Sequence, residues 1–190
     1  PNIATLNHEN VVKIKACCNE SIFSLSRFDK IKSVIELGAG IGLFASCLLK
    51  LKKNLKYIVI DIPPTLFLSE YYLRKLGFKV FGYEDLKKNK DINLNLIFKN
   101  YQIVCLPSWR LDILNNYKSD LFVNIASFQE MEKSQVLNYL KMIKKNINSY
   151  IFLDNGIKAQ SKSTKKNSFG NLNPASIQDC EQELSDNFSI

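Results

Sequence analysis

Histidine is almost missing from this chain, with one residue, His8, among 190. A histidine-based zinc centre or a Ser-His-Asp arrangement in the body of the chain is excluded by that inventory. The five cysteines, Cys17, Cys18, Cys47, Cys105 and Cys180, form no C-x-x-C pair. Neither a disulfide framework nor a zinc ribbon is expected, and reduced thiols point to a cytoplasmic protein. Arginine is scarce as well, confined to Arg27, Arg74 and Arg110. No apolar run approaches the roughly 20 residues that span a bilayer, so no membrane partner is expected. No leader pattern opens the chain, and Pro1 stands where a start methionine would, so it reads as a piece of something longer.

The hydrophobic fraction, 46%, is enough for one sizeable core at this length. The net charge of +8 raises the question of a nucleic-acid partner. The lysines are scattered along the chain, and arginine, the usual residue for bidentate phosphate and base recognition, is lacking. A solvated basic surface is the better reading, and a nucleic-acid partner is not expected.

Of seven glycines, three fall in one place: V-I-E-L-G-A-G-I-G over 34–42, with Gly38, Gly40 and Gly42. An apolar run precedes them and a helix-like run follows. The pattern reads as buried strand, glycine turn and helix N-terminus. Gly38 permits a sharp turn, Gly40 a close approach of ligand to backbone, and Gly42 a helix packed close to the sheet. The helix start offers free N–H groups to an anionic group. A dinucleotide turn would need its third glycine or alanine at position 43, which is Leu43.

About twenty residues beyond the turn, the apolar run 57–60 ends in Asp61. This is the expected place of a carboxylate that accepts from ribose hydroxyls. Pro63 and Pro64 then open a helix that Gly77 closes. Residues 78–83 read as a short strand or an extended connection, while 84–100 carries no clear signal. A strand over 101–106 ends before Trp109, which serves either as an aromatic platform for a base or as a core or rim residue. A further strand over 120–125 runs into Ser127, Phe128, Gln129 and Glu130. A helix over 130–147 and a strand over 149–153 follow, the strand ending at Asp154 and Asn155. Alternating strands and helices predict an α/β chain, with a mostly parallel sheet between two helical layers. Ligands bind such sheets at the carboxyl ends of the strands, where Glu36, Asp61, Trp109, Ser127 to Glu130 and Asp154 all fall.

Three parts are expected: an N-terminal helical segment over 1–30, a core over 31–156, and a polar loop with a short helix over 157–190. Asn173-Pro174 starts that helix, with Ile177, Cys180 and Leu184 on one side.

The form E-x-G-x-G-x-G resembles the first motif of S-adenosylmethionine-dependent methyltransferases of the Rossmann-like class I fold, a three-layer sandwich. The runs I-D-I-P-P-T-L-F-L-S-E-Y-Y-L (60–73) and N-I-A-S-F-Q-E-M (124–131) resemble, more narrowly, the sugar O-methyltransferases of bacterial glycan and antibiotic gene clusters. The resemblance implies S-adenosylmethionine as cofactor, with Glu36 facing its amino group and the glycine turn holding its methionine part. Asp61, Ile62 and Trp109 complete the cofactor set. It implies a small sugar or glycan-precursor acceptor, with Ser127, Phe128, Asp154 and Asn155 at the acceptor side. That fold ends in two more strands, for which nothing after residue 156 is a good candidate. Some sugar methyltransferases use a divalent metal held by carboxylates, to which Asp154 could contribute, but no spacing here requires one.

Transfer of an activated methyl chiefly needs alignment. A sugar hydroxyl is a weak nucleophile, so a base helps, and without a core histidine it must be a carboxylate. Glu130 is the candidate, Gln129 orients the sugar, and Asp154 is second choice. Two other readings stand beside this one. A nucleic-acid methyltransferase predicts salt-sensitive binding, and a cofactor-binding module without turnover predicts no effect of Glu130→Gln.

Overall fold

The computed structural model describes residues 28–89, 91–155 and 171–185. The expected N-terminal helical segment lies outside them apart from residues 28–30, as does the expected polar loop over 157–170.

The first strand, β1 (Ser33–Leu37), is buried at all five positions. Such a strand has helices on both faces, the usual situation in a parallel sheet. The glycine turn leads into α1 (Leu43–Leu51) and then β2 (Lys56–Asp61). The two prolines sit in the first turn of α2 (Pro63–Lys75), where their missing N–H groups cost nothing. A two-residue strand, β3 (Val80–Phe81), precedes α3 (Tyr83–Lys88) and α4 (Leu94–Ile97), the two short helices within the stretch that lacked a pattern. Then come β4 (Ile103–Pro107), a 3₁₀ turn (Leu111–Leu114), β5 (Ser119–Ile125), a second 3₁₀ turn (Phe128–Glu130), α5 (Lys133–Ile143), β6 (Ile147–Asp154) and α6 (Ile177–Leu184).

The six strands form one sheet in the order β3-β4-β2-β1-β5-β6, and every pairing is parallel. Side chains alternate across it. Ile35, Leu37, Ile58, Ile60, Val104 and Phe122 face Val136, Leu140 and Ile143 of α5 and Cys180 and Leu184 of α6. Val34, Tyr57, Val59, Ile103 and Leu121 face Ala45, Leu48 and Leu49 of α1 and Leu66 and Leu73 of α2. The three-layer α/β sandwich expected from the alternation is therefore present.

The helix expected over 130–147 is shorter at both ends. Met131 is extended (φ −110°, ψ 152°), and Glu132 caps α5 in a reciprocal box with Gln135. The Glu132 carboxylate also accepts from the N–H groups of Leu172 and Asn173, which ties the chain before α6 to the start of α5. At the far end, the buried Asn146 amide donates to the carbonyls of Leu114 and Tyr117, and β6 begins at the next residue.

Candidate active site

The strand order reverses between β1 and β5, because β2 lies on one side of β1 and the later strands lie on the other. In an open parallel sheet the carboxyl ends at such a switch point form the crevice where ligands usually lie. The glycine turn sits at this point.

The turn is fixed from three directions. The Gly38 N–H donates to the Ile60 carbonyl at 2.8 Å. Asp61, at the end of β2, accepts from the Gly40 N–H (2.8 Å), the Ile62 N–H (2.7 Å) and the Thr65 hydroxyl (2.7 Å). The buried Ser69 hydroxyl of α2 donates to the Gly40 carbonyl. Asp61, expected as a ribose acceptor, clamps the turn in this structure. A carboxylate has about four acceptor positions, so one remains for a further donor. Thr65 and Ser69 were not singled out by sequence reasoning. The signal for Thr65 is its place one helical turn after Asp61.

A Cβ on Gly40 would meet nothing within 4 Å, so the turn is open above that residue. Gly42 serves α2 instead of the sheet, since a Cβ there would lie 3.1 Å from Leu73. No side chain caps the N-terminus of α1. Ile62 and Trp109 are 56% and 58% exposed on adjoining strand ends, joined by the Ser108 N–H to Asp61 carbonyl bond (3.0 Å).

Glu36 is buried on β1, on the sheet face of Tyr57, whose hydroxyl donates to its Oε2 at 2.7 Å. Burial pushes the Glu36 carboxyl up to about 7; the Tyr57 bond opposes this and the Asp61 charge adds to it. Burial and the Glu36 charge in turn push the Tyr57 hydroxyl well up. In the sequence Tyr57 is one residue of an apolar strand. Its partnership with Glu36 follows once β1 and β2 are paired as Val34 with Tyr57.

On the other side of the crevice, Asn124 knits three strand ends together. Its amide donates to the Leu37 carbonyl (2.8 Å) and the Ser127 hydroxyl (2.6 Å). Its carbonyl oxygen accepts from the Phe128 N–H (3.2 Å) and the Asn155 amide (3.0 Å). Asn155 also accepts from the Phe128 N–H at 3.1 Å. Ser127 and Asn155, expected to face an acceptor, are partly exposed but already engaged here. Phe128 departs from that expectation: its ring is buried and packs on Phe122 at 6.3 Å, a core contact in place of a substrate contact. Asn124→Ala leaves the Leu37 carbonyl and neighbouring donors short of partners, and should cost about 2–3 kcal/mol in a urea titration. A loss below about 0.5 kcal/mol would mean that water replaces the amide.

Glu130 is exposed at the end of the 3₁₀ turn, and Gln129 is partly buried beside it, its carbonyl accepting from the Asn171 amide. Asp154 is half-buried at the end of β6, and burial raises its carboxyl pKa. Among the described residues, no group of three His, Cys, Asp or Glu side chains is arranged to hold a metal ion. No described helix is long and apolar enough to cross a membrane.

No protein-family model matches the chain, and no curated protein does. Solved structures do match. An O-methyltransferase family protein from Burkholderia thailandensis superposes with a TM-score of 0.58 at 10% identity, over 87% of this chain and 50% of that one. The S-adenosylmethionine-dependent methyltransferase SibL in its apo form gives 0.52 at 14% identity, over 86% and 46%. The mitomycin 7-O-methyltransferase MmcR gives 0.50 at 12% identity, over 72% and 34%. This chain spans half or less of the length of each of these proteins. What is shared at such identities is architecture: the chain has the Rossmann-like class I methyltransferase fold.

Proposed function

We propose that this chain is the cofactor-binding part of an S-adenosylmethionine-dependent O-methyltransferase whose acceptor is a hydroxyl of a sugar or a similar small metabolite. The observation that carries the reading is the crevice itself. A glycine turn, clamped by Asp61 and open above Gly40, lies between a buried carboxyl and two exposed apolar side chains.

That donor set fits the cofactor. Glu36, once ionised, accepts from the ammonium, and the uncapped start of α1 faces the carboxylate. Asp61 accepts from a ribose hydroxyl, and Ile62 and Trp109 flank the adenine. When bound, S-adenosylmethionine supplies a methyl group already activated for in-line displacement. Glu130 accepts the proton of the attacking hydroxyl, Gln129 orients the acceptor, and Asp154, whose carboxyl pKa burial raises, is the second candidate base. Asn124, Ser127 and Asn155 hold the acceptor side in register with the turn. The thiol inventory supports a reducing, cytoplasmic location.

The test is methyl transfer from labelled cofactor to a panel of free and nucleotide-linked sugars. Glu130→Gln should lower kcat by about a hundredfold, with S-adenosylhomocysteine affinity unchanged. An unchanged kcat would remove the role from Glu130.

A further inference from the structure

A groove leaves the crevice beside Trp109 and runs down one flank of α5. Its origin lies in the β4–β5 crossover, whose helical part is only the four-residue 3₁₀ turn Leu111–Leu114. A parallel crossover usually carries a full helix. Among the described residues, nothing takes the place of such a helix on that flank of α5. The resulting groove is shallow and open to solvent, with a volume of about 510 Å³.

Its α5 wall is formed by Gln135, Asn138, Tyr139 and Met142, one face of the helix over about 10 Å. Asn115 stands on the opposite wall, and Trp109 is at the mouth. The side-chain amides of Asn115 and Asn138 have no hydrogen-bond partner among the described residues. Among the described residues no lysine or arginine lines the groove, and the one lining carboxylate, Asp112, is paired with Arg110 at 3.0 Å.

These features select a ligand class. A phosphate backbone or other polyanion would meet only Arg110, which Asp112 already neutralises. A hydrocarbon would leave the amides unpaired at a cost. A ring with hydroxyls at its rim and C–H groups on its faces suits both kinds of wall. Each amide offers a donor and an acceptor to vicinal hydroxyls, while the indole and phenol rings take the C–H faces. We infer that this groove binds a neutral oligosaccharide, holding sugar units remote from the one presented at the crevice. As the remote part of the acceptor, it rests on the reading given under Proposed function; as a saccharide site, it stands without it.

Trp109 is the only tryptophan, so its emission reports on the point where the groove meets the crevice, and the saccharide titrations are run without cofactor. The full chain is titrated with neutral trisaccharides of glucose, galactose, mannose and rhamnose, and with a heparin-derived trisaccharide as the anionic probe. Calorimetry with S-adenosylhomocysteine is run in parallel. At least one neutral trisaccharide should change the emission saturably, and Asn138→Ala should weaken that binding about tenfold while cofactor affinity holds. The inference is overturned if no neutral trisaccharide acts on the folded chain, if the anionic probe binds better, or if Asn138→Ala has no effect. Saccharide binding without S-adenosylhomocysteine binding would sink the methyltransferase reading and leave the groove standing.

Discussion

Replacing Glu36 by Gln is expected to stabilise the fold at pH 8 by about 3 kcal/mol and, in the same step, to weaken cofactor binding. The stability arm follows from linkage. Burial holds the Glu36 carboxyl at about 7 in the folded chain, above the 4.5 of an exposed glutamate. The folded state therefore keeps a proton that the unfolded state releases. Stability falls as pH rises from about 4.5 to about 7 and levels off above that, the full difference being about 3 kcal/mol. Glutamine cannot ionise, but it retains an oxygen for the Tyr57 hydroxyl that donates to Glu36 at 2.7 Å. Urea titrations at pH 5 and pH 8 read the difference directly: the parent should lose stability between them, and the variant should lose less. Parallel losses would show that Glu36 is not the titrating group. The binding arm follows from charge. An ammonium placed against Glu36 favours its ionised form, so binding at pH 6 should release a proton and should weaken about tenfold or more in Glu36→Gln. A carboxyl that costs stability and is nonetheless present fits a group retained for a ligand.

Adding one methyl group at Gly38 and at Gly40 should give opposite kinds of damage. Both residues lie in the left-handed region, at φ +74° and +58°. Alanine there costs about 1–2 kcal/mol in backbone strain alone. At Gly38 the new Cβ would fall 2.1 Å from the Ser127 hydroxyl oxygen and 2.3 Å from its Cβ. Ser127 cannot swing away without breaking its bonds to Asn124 and the Leu37 carbonyl. Gly38→Ala should therefore cost about 3–4 kcal/mol in total, and adding Ser127→Gly should recover the part that is collision. At Gly40 the Cβ meets nothing within 4 Å, so the fold should lose only the strain. The methyl group then occupies the space above the turn, and S-adenosylhomocysteine affinity should fall about a hundredfold. Equal stability losses in the two variants, or unimpaired binding by Gly40→Ala, would contradict this account of the turn.

The sheet was legible because its strands are apolar at nearly every position and its turns carry glycine or proline. β1 and α1 stand on either side of the glycine turn as expected, and Asp61 ends β2 as the spacing requires. Less was legible where tertiary contacts decide. The run after β5 looks helical from Glu130, but Glu132 takes the cap because its carboxylate also binds the backbone of residues 172–173. Residues 84–100 hid two short helices, one of them begun by the Asn93 side chain accepting from the N–H groups of Asn95 and Leu96. Phe128 shows the limit on the site side. Its motif neighbours mark the crevice, but only the packed structure reveals that its ring belongs to the core and its N–H to the Asn124 network. Asn124 opens one of the motif runs but carries no role in sequence, because a lone polar residue near a strand end does not announce four hydrogen bonds.

The measurement that bears most directly on the central claim is calorimetric titration of the chain with S-adenosylhomocysteine, with NADH as comparator and Asp61→Ala as control. The account expects micromolar S-adenosylhomocysteine binding, none of NADH, and loss of binding in the variant, which both unclamps the turn and removes the ribose acceptor. NADH binding in preference, or no binding of S-adenosylhomocysteine by a folded chain, would contradict it.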